Sequence, residues 1–247
     1  MSTSPGSTSS SSRSPSTSAG PHGSDETIAV FDLDGTITTR DTTAAFLLGY
    51  LREHPRRLAR CMPLAVSLAG FAMGAVDNAG LKRAAVSAVL GGASRDEIAA
   101  SIDRFVPWCL EALVRPTART RIQAHKHARH RLILASASLD LYVEPIGKAL
   151  GFAEVICTKV AWTRGQRISG DLDGGNVRSD SKLAAVQRAV SLAESAPRSA
   201  RVIAYSDHQA DLPLLRWADQ AVAVNPTRRL AAAAAIEGIP IEDWGRP

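Results

Sequence analysis

The stretch that decides the fold is Thr27-Ile-Ala-Val-Phe-Asp-Leu-Asp-Gly-Thr-Ile-Thr38. It begins with apolar and β-branched residues and changes abruptly to polar ones at Asp32. A short apolar run that ends in Asp and Gly predicts a buried strand over residues 27–31, followed by a turn. Because open parallel sheets bind ligands beyond the carboxyl ends of their strands, we expect the carboxylates of Asp32 and Asp34 at such an edge.

Further strand-like runs lie downstream, and helical patterns separate most of them. Alternating strands and helices predict right-handed crossovers and a parallel sheet. The expected fold is therefore α/β, a Rossmann-like parallel sheet core with helices on both faces. The segment 162–175, which contains Gly and Asp turns, is expected to form an exposed hairpin or loop. The predicted strands are 131–135, 153–157, 201–205 and 220–224, and the predicted helices are 139–150, 180–194 and 211–218.

The first two predicted strands are separated by a long helical block without a convincing strand pattern. We therefore predict an inserted helical cap over residues 41–113, with the α/β core in residues 25–40 and 114–247. Within the cap, Ser94 followed by Glu97 predicts a capping box at the start of a helix. Residues 1–24 are rich in Ser and Pro and lack an apolar signal region, so we expect a disordered tail.

Composition restricts the partners and the compartment. The formal net charge of +5 favours anionic partners. Cys61, Cys109 and Cys157 form no CxxC pair, which argues against a disulfide framework or zinc site and favours buried thiols in a reducing, cytoplasmic setting. The basic stretch 115–131 lacks interleaved aromatic residues, so we expect a solvated face and no nucleic-acid partner.

One uncharged stretch, Cys61 to Val76, reads CMPLAVSLAGFAMGAV. It falls short of the roughly 20 residues that a membrane-spanning helix needs. We predict a buried helix of the core, with a surface-embedded helix as the alternative. Peripheral membrane contact therefore stays open at this point.

Polar residues also follow other predicted strands, at the edge of the sheet where Asp32 and Asp34 are expected, and Lys182 lies near the start of a predicted helix. Carboxylates that converge beside an ammonium group are costly without a cation and an anionic ligand, and Mg²⁺ with a phosphate would balance these charges. Ser138 is expected to cap the following helix, and His208 to lie in a surface turn. The converging set comprises Asp32, Asp34, Asp207, Asp211, Lys182 and Ser136.

These residues resemble the four motifs of the haloacid dehalogenase (HAD) superfamily, and most closely its subfamily IB, the phosphoserine phosphatase-like branch. The paired aspartates of Val30-Phe-Asp-Leu-Asp-Gly-Thr-Ile-Thr38 resemble the first motif. Ser136 and Lys182 match the second and third, and Tyr205-Ser-Asp-His-Gln-Ala-Asp-Leu-Pro213 matches the acidic fourth. The resemblance spans residues 27 to about 226, and its one departure is Ser206, where many members carry glycine.

The resemblance implies a Mg²⁺-dependent phosphomonoester phosphatase that acts on a small phosphorylated molecule through an aspartyl-phosphate. Asp32 would be the nucleophile, and Asp34 would protonate the leaving oxygen and then activate water. The metal would be held by Asp32, the main-chain carbonyl of Asp34, and Asp207. Ser136 and Lys182 would bind phosphate, and Asp211 would orient Lys182 or a metal-bound water.

Two features bear on the substrate. Asp41 stands where phosphoserine phosphatases tend to carry a glutamate that meets the substrate's amino group, and Lys82 or Arg83 would meet a carboxylate. These features favour a phosphoserine-like substrate. The basic run 51–57 followed by the apolar stretch 61–76 also resembles phosphatidylglycerophosphate phosphatases and favours a lipid phosphate.

Two other classes of function differ from hydrolysis in what they require of these residues. A non-catalytic binding or regulatory member of the fold would have lost Asp32, Asp34 or Asp207, and all three are present. Transfer of the phosphate to an acceptor other than water stays open, because the first half-reaction is shared. The sequence does not predict an oligomeric state.

Overall fold

The structure, a computed structural model, describes residues 1–2, 26–193 and 200–245, with only the backbone at 192–193. The predicted tail, residues 1–24, lies outside this part of the chain apart from its first two residues, and so does the last residue of the predicted helix 180–194.

The described residues form a seven-stranded sheet in the order β4-β3-β2-β1-β5-β6-β7. Its strands pair in parallel except for β4, which is antiparallel to β3. The predicted α/β fold is therefore confirmed. The sheet also contains a short edge strand, β7, that the sequence did not predict. The strands are β1 (Thr27–Phe31), β2 (Arg131–Leu139), β3 (Glu154–Trp162), β4 (Ile168–Asp173), β5 (Arg201–Ser206), β6 (Gln220–Val224) and β7 (Ile241–Glu242).

Strand β1 lies at the centre of the sheet, between β2 and β5. Its side chains alternate between two hydrophobic cores, one on each face. Ile28 and Val30 pack into one core, and Ala29 and Phe31 into the other. A strand buried on both faces reads as a continuous apolar run, which is why residues 28–31 have no polar positions.

Helices cover both faces, and the first five of them lie between β1 and β2. A 3-10 helix, Pro55–Cys61, connects the first two helices, and a second one, Gln209–Asp211, precedes the eighth. The helices are α1 (Thr42–Glu53), α2 (Met62–Ala72), α3 (Asn78–Leu90), α4 (Arg95–Ala112), α5 (Pro116–His127), α6 (Asp140–Leu150), α7 (Asp180–Ala193), α8 (Leu212–Trp217) and α9 (Arg228–Glu237).

The chain leaves the sheet for α1–α4 and returns along the same path. The amide of Thr39 donates to the carbonyl of Leu113 at 2.9 Å, and the amide of Arg115 donates to that of Ile37 at 2.9 Å. The outgoing and returning segments thus pair beside each other at the limits predicted for the cap, whose status as a separate domain stays a prediction.

Helix α4 begins as the sequence predicts. The amide of Glu97 donates to the Ser94 hydroxyl at 3.3 Å, and the amide of Ser94 donates to the Glu97 carboxylate at 2.7 Å. The predicted capping box is confirmed, and it satisfies two amides that a helix start otherwise leaves without partners.

The prediction of a buried helix at 61–76 was wrong. Of the residues of α2, only Gly70 is buried, while Met62 and Val66 are 76% and 74% exposed. The physical reason is that α2 packs through one narrow edge against α3 and the first 3-10 helix. No helix in the described part of the chain is long and apolar enough to cross a membrane.

The segment 162–175 forms the predicted hairpin, but one face of it is covered. Ile168 and Leu172 of β4 are buried against α3. The amide of Gly92 donates to the Ile168 carbonyl at 2.8 Å, and the amide of Ile168 donates to that of Ala93 at 3.0 Å. The hairpin therefore joins the sheet to the helices that precede it in sequence.

The basic stretch 115–131 was predicted to be a solvated face, but part of it is buried. Arg115 is buried and donates to the Gly35 carbonyl at 3.4 Å. His125 is buried with its Nε2 2.9 Å from the Tyr205 hydroxyl, and Arg131 pairs with Glu154 at 2.5 Å. Helix α5 packs against β2, which removes one side of this stretch from water.

The three cysteines are free thiols. Cys109 and Cys157 are buried as predicted, whereas Cys61, at the start of the exposed α2, is only partly buried.

Candidate active site

The turn after β1 brings the first two predicted carboxylates to the edge of the sheet. The amide of Asp32 still donates to the Tyr205 carbonyl of β5 at 3.0 Å, so its position is fixed by strand pairing. Gly35 then turns the chain with a φ of +81°, a conformation that favours glycine. A Cβ on Gly35 would lie 2.2 Å from Oδ2 of Asp207. The turn and the residue after β5 therefore lie in direct contact.

Lys182 connects the segments that follow β1 and β5. Its Nζ donates to Asp32 Oδ1 and to Asp211 Oδ2, each at 2.7 Å, and it is only 2% exposed. The Ser206 hydroxyl also donates to Asp211 Oδ2, at 2.7 Å. Burial lowers the pKa of Lys182, but the carboxylates of Asp211 and Asp32 outweigh burial and raise this pKa overall. The ammonium group is therefore a permanent charge at the floor of the site.

Asp34 belongs to a different set of contacts, which comes from α1 and β2. Its Oδ1 accepts from the Thr42 amide at 2.6 Å, and its Oδ2 accepts from the Ser138 hydroxyl at 2.5 Å. The Thr43 hydroxyl lies 2.8 Å from that of Ser138 and 2.9 Å from that of Tyr142. Burial, reinforced by the charge of Asp41, raises the pKa of Asp34 despite these hydrogen bonds. A carboxyl group whose pKa is raised is suited to protonating a leaving group.

The remaining carboxylates fit a divalent cation. Burial raises the pKa of Asp32 to about 7, although Lys182 opposes this shift. Burial and the neighbouring charge of Asp32 raise the pKa of Asp207 to about 8. Oxygen donors that repel one another are the kind that Mg²⁺ binds. Among the residues that the structure describes, no group of three or more His, Cys, Asp or Glu side chains is arranged for a metal. Asp32, Asp207 and the main-chain carbonyl of Asp34 therefore stay the predicted metal donors.

These residues form the floor of a cleft of about 590 Å³. Its upper wall comes from α1, α2 and α3, and it combines polar and apolar side chains. Asp41 lines the cleft while its carboxylate caps α1, accepting from the Ala44 amide at 2.8 Å. The leucines on this wall are Leu47, Leu64, Leu68 and Leu81.

Of the two cap cations proposed to meet a carboxylate, only one lies in the cleft. Lys82 Nζ donates to Asn176 Oδ1 at 2.8 Å and to the main-chain carbonyl of Ala137, and burial lowers its pKa to about 8. Arg83 instead forms an exposed pair with Asp171 at 2.5 Å. It is not among the residues that line the cleft.

The two serines of β2 are placed differently from the prediction. Ser138 does not cap α6, which begins after Leu139, because its hydroxyl is used by Asp34. Ser136 is fully buried, and its hydroxyl accepts from the Ser138 amide at 3.0 Å. Ser138 lines the cleft and Ser136 lies behind it, so the phosphate contact of Ser136 stays a prediction.

Sequence reasoning missed several residues that line the cleft or contact its lining. His208 was expected in a surface turn but lines the cleft, 3.3 Å from Arg178 through its Nδ1. Arg178 was also missed. It lies four residues before Lys182, and this spacing is the signal that could have indicated a second cation. Thr43 and Tyr142 gave no signal, because hydroxyls on helices are ordinary in any sequence.

Comparisons with known proteins identify relatives along most of the chain. The chain is 29% identical over 201 residues to the protein CicA of Caulobacter vibrioides, covering 81% of this chain and 87% of that one. It is 26% identical over 223 residues to the "Probable phosphatase Rv3661" of Mycobacterium tuberculosis, covering 90% and 76%.

Two solved structures share the fold. A Bordetella pertussis protein of unknown function has a TM-score of 0.74 at 22% identity and covers 89% of this chain and 99% of its own. A phosphoserine phosphatase, solved with an analogue of its phospho-aspartyl intermediate, has a TM-score of 0.62 at 16% identity and covers 90% and 94%. At these identities the likeness concerns the fold alone.

The family follows from a match that spans most of the chain. Residues 29–216 match the family model described as haloacid dehalogenase-like hydrolase. This range includes every residue of the candidate site, from Asp32 to Asp211. The chain therefore belongs to the haloacid dehalogenase-like hydrolases, the family and enzyme class that its sequence motifs predict.

Proposed function

We propose that this chain is a phosphomonoester phosphatase in which Asp32 is the nucleophile. The observation that carries the proposal is the placement of Asp32 at the floor of the cleft, with one oxygen held by Lys182 and Asp34 two residues away in a separate network. One carboxylate is thus oriented by an ammonium, while burial raises the pKa of the other. This is the division of labour that a two-step displacement requires.

In the first step, an Asp32 oxygen forms a bond to phosphorus as the bond from phosphorus to the substrate oxygen breaks. The leaving oxygen takes the proton of Asp34. In the second step, Asp34 takes a proton from a water molecule that attacks the aspartyl-phosphate, which releases phosphate and restores Asp32. Lys182 neutralises the phosphate oxygens throughout.

The residues present fit Mg²⁺, held by Asp32, Asp207 and the carbonyl of Asp34. When bound, the ion supplies a positive charge that screens the repulsion between carboxylate and phosphate. Asp211 acts indirectly, because it fixes the ammonium of Lys182.

For the substrate, we propose a small phosphorylated molecule with a cationic and an anionic group, as in phosphoserine. Asp41 and Lys82 support this choice, since both line the cleft. A lipid phosphate is the second candidate, and the observation that favours it is the leucine wall formed by Leu47, Leu64 and Leu68. The expected cytoplasmic location and the absence of a nucleic-acid partner stay predictions.

The test is phosphate release from phosphoserine, sugar phosphates and phosphatidylglycerophosphate, with and without Mg²⁺. We expect Mg²⁺-dependent release that falls by at least about 10³-fold in Asp32→Asn, the scale of losing a catalytic group. Asp96→Asn, the same change at an exposed position of α4, serves as the control and is expected to retain activity. Release that survives in Asp32→Asn would show that another group attacks phosphorus.

The preferred substrate separates the two candidates. Preference for phosphoserine supports the roles of Asp41 and Lys82. Preference for phosphatidylglycerophosphate supports the leucine wall instead. Addition of alcohol acceptors, with analysis for phosphorylated alcohols, shows whether the phosphate goes to water or to another acceptor.

A further inference from the structure

The exposed apolar side chains of this molecule are concentrated in one place. Of the eleven large hydrophobic residues that are exposed in the described part of the chain, six lie between residues 58 and 73. Their side chains are 42% to 77% exposed. We name this set the α2 surface; it consists of Leu58, Met62, Val66, Leu68, Phe71 and Met73.

The α2 surface is unlike the outer face of an ordinary helix. A helix on the surface of a globular protein carries charged or polar residues toward water. The stretch from Cys61 to Val76 carries no charged residue, and Gly70 is the one buried residue of α2. A contiguous exposed apolar patch of this kind marks a site of interaction with another apolar surface.

The length of α2 and the charges around it indicate what kind of surface would bind the α2 surface. With 11 residues, α2 is about 16 Å long at 1.5 Å per residue, which is too short to cross a bilayer. It is suited instead to lying in the interface of one leaflet. The exposed Arg52, Arg56 and Arg60 precede it, and no Asp or Glu occurs from residue 54 to residue 76. An apolar surface flanked by arginines complements anionic lipid head groups.

The α2 surface is also continuous with the cleft. Leu68 belongs to this surface and lines the cleft, and Leu64 of the same helix lines it as well. We propose that the α2 surface docks on the interfacial region of an anionic lipid bilayer, which places the entrance of the cleft at the membrane. This inference does not depend on the proposed catalysis, since docking uses residues outside the catalytic set.

The test is sedimentation of the full chain with phosphatidylcholine vesicles, with and without phosphatidylglycerol. We expect binding to the vesicles that contain phosphatidylglycerol and loss of binding at high salt. Val66→Glu is expected to weaken binding at least about tenfold, because it places a charge in the apolar interface. Ile236→Glu, at an 86% exposed position of α9, is the matched control and is expected to bind like the wild type.

Further measurements separate docking from folding, catalysis and self-association. Unchanged circular dichroism and unchanged Mg²⁺-dependent activity toward a water-soluble phosphomonoester verify that Val66→Glu is folded, and Asp32→Asn is expected to bind vesicles normally. Equal vesicle binding by Val66→Glu and the wild type would overturn the proposal, as would no binding by the wild type. A wild-type dimer that Val66→Glu dissociates, without vesicle binding, would assign the surface to a second copy of the chain and also overturn it.

Discussion

Asp32 and Asp34 are two residues apart, yet their side chains belong to separate networks. Asp32 is held by Lys182, which α7 provides, whereas Asp34 is held by the Thr42 amide and the Ser138 hydroxyl. Residues that are two positions apart share a face only while the strand continues, and here the turn begins between Asp32 and Asp34. The chain thereby gives two identical side chains different environments.

The contact of Gly35 with Asp207 leads to a prediction about the metal. Gly35→Ala would place a Cβ 2.2 Å from Asp207 Oδ2, at a φ of +81° that disfavours alanine. We expect the Asp207 carboxylate to be displaced and the Mg²⁺ concentration for half-maximal activity to rise at least about tenfold. A titration of phosphate release with Mg²⁺ measures this effect.

The control for this substitution is Gly49→Ala. Gly49 lies in α1, where an added Cβ has no atom within 4 Å. Alanine there is expected to raise the free energy of unfolding by roughly 0.5–1 kcal/mol and to leave the Mg²⁺ titration unchanged. An unchanged titration in Gly35→Ala would argue against Asp207 as a metal ligand.

At this scale the sequence predicts the carboxylates and Lys182 well, but it misses Arg178 and the hydroxyls. The carboxylates and Lys182 meet at one edge of the sheet because parallel strands end at the same edge. The order of these residues in the chain matches that of the family motifs, which is how Lys182 was identified. Thr43 and Tyr142 join the site through helix packing, which a single sequence does not encode in any short pattern. The same reason explains the wrong assignment of Ser138 as a helix cap.

At the scale of elements, the capping box of α4 offers a direct test of local stability. Ser94→Ala removes the hydroxyl that accepts from the Glu97 amide at 3.3 Å. We expect the free energy of unfolding to fall by about 1 kcal/mol, the usual effect of losing an N-cap side chain. Urea denaturation followed by circular dichroism measures this change.

Thr120→Ala is a suitable control for Ser94→Ala. The Thr120 hydroxyl donates to the Pro116 carbonyl within α5, a bond that does not cap the helix. Since alanine has the higher helix propensity, this variant is expected to be as stable as the wild type or slightly more stable. Equal losses in both variants would mean that the hydroxyl of Ser94 has no special role.

Elements were predicted where the hydrophobic pattern has a single interpretation. Strand β1, with its apolar run and abrupt polar end, is such a case. The stretch 61–76 is not, because hydropathy measures the tendency to leave water and does not specify what covers the helix. Strand β7, with two residues, is too short to have a pattern.

At the scale of the whole molecule, the burial of His125 gives stability a dependence on pH. Burial, together with the charges of His130 and Arg121, lowers the pKa of His125 from 6.5 to about 4. Between these values the unfolded chain binds a proton that the folded chain does not. The free energy of unfolding is therefore expected to rise with pH from about 4 to 6.5 and to lose this contribution as the pH falls.

The measurement is urea denaturation of the wild type and His125→Gln across this range of pH. Glutamine has no such titration, so the variant is expected to show a shallower dependence, whatever its absolute stability. His127→Gln, at an exposed position of the same helix, is expected to keep the wild-type slope. Parallel slopes for all three proteins would contradict the role of His125.

The hydrogen bonds between β4 and the segment after α3 have a consequence for turnover. Helices α1–α4 are connected to the sheet by two paired chain segments, and the bonds of Ile168 with Gly92 and Ala93 attach them to β4 as well. A rigid swing about the paired segments alone would break these bonds in every catalytic cycle. We therefore expect product to leave through local displacement of α2, which packs mainly against α3 and the first 3-10 helix, so that this one helix acts as the gate of the cleft.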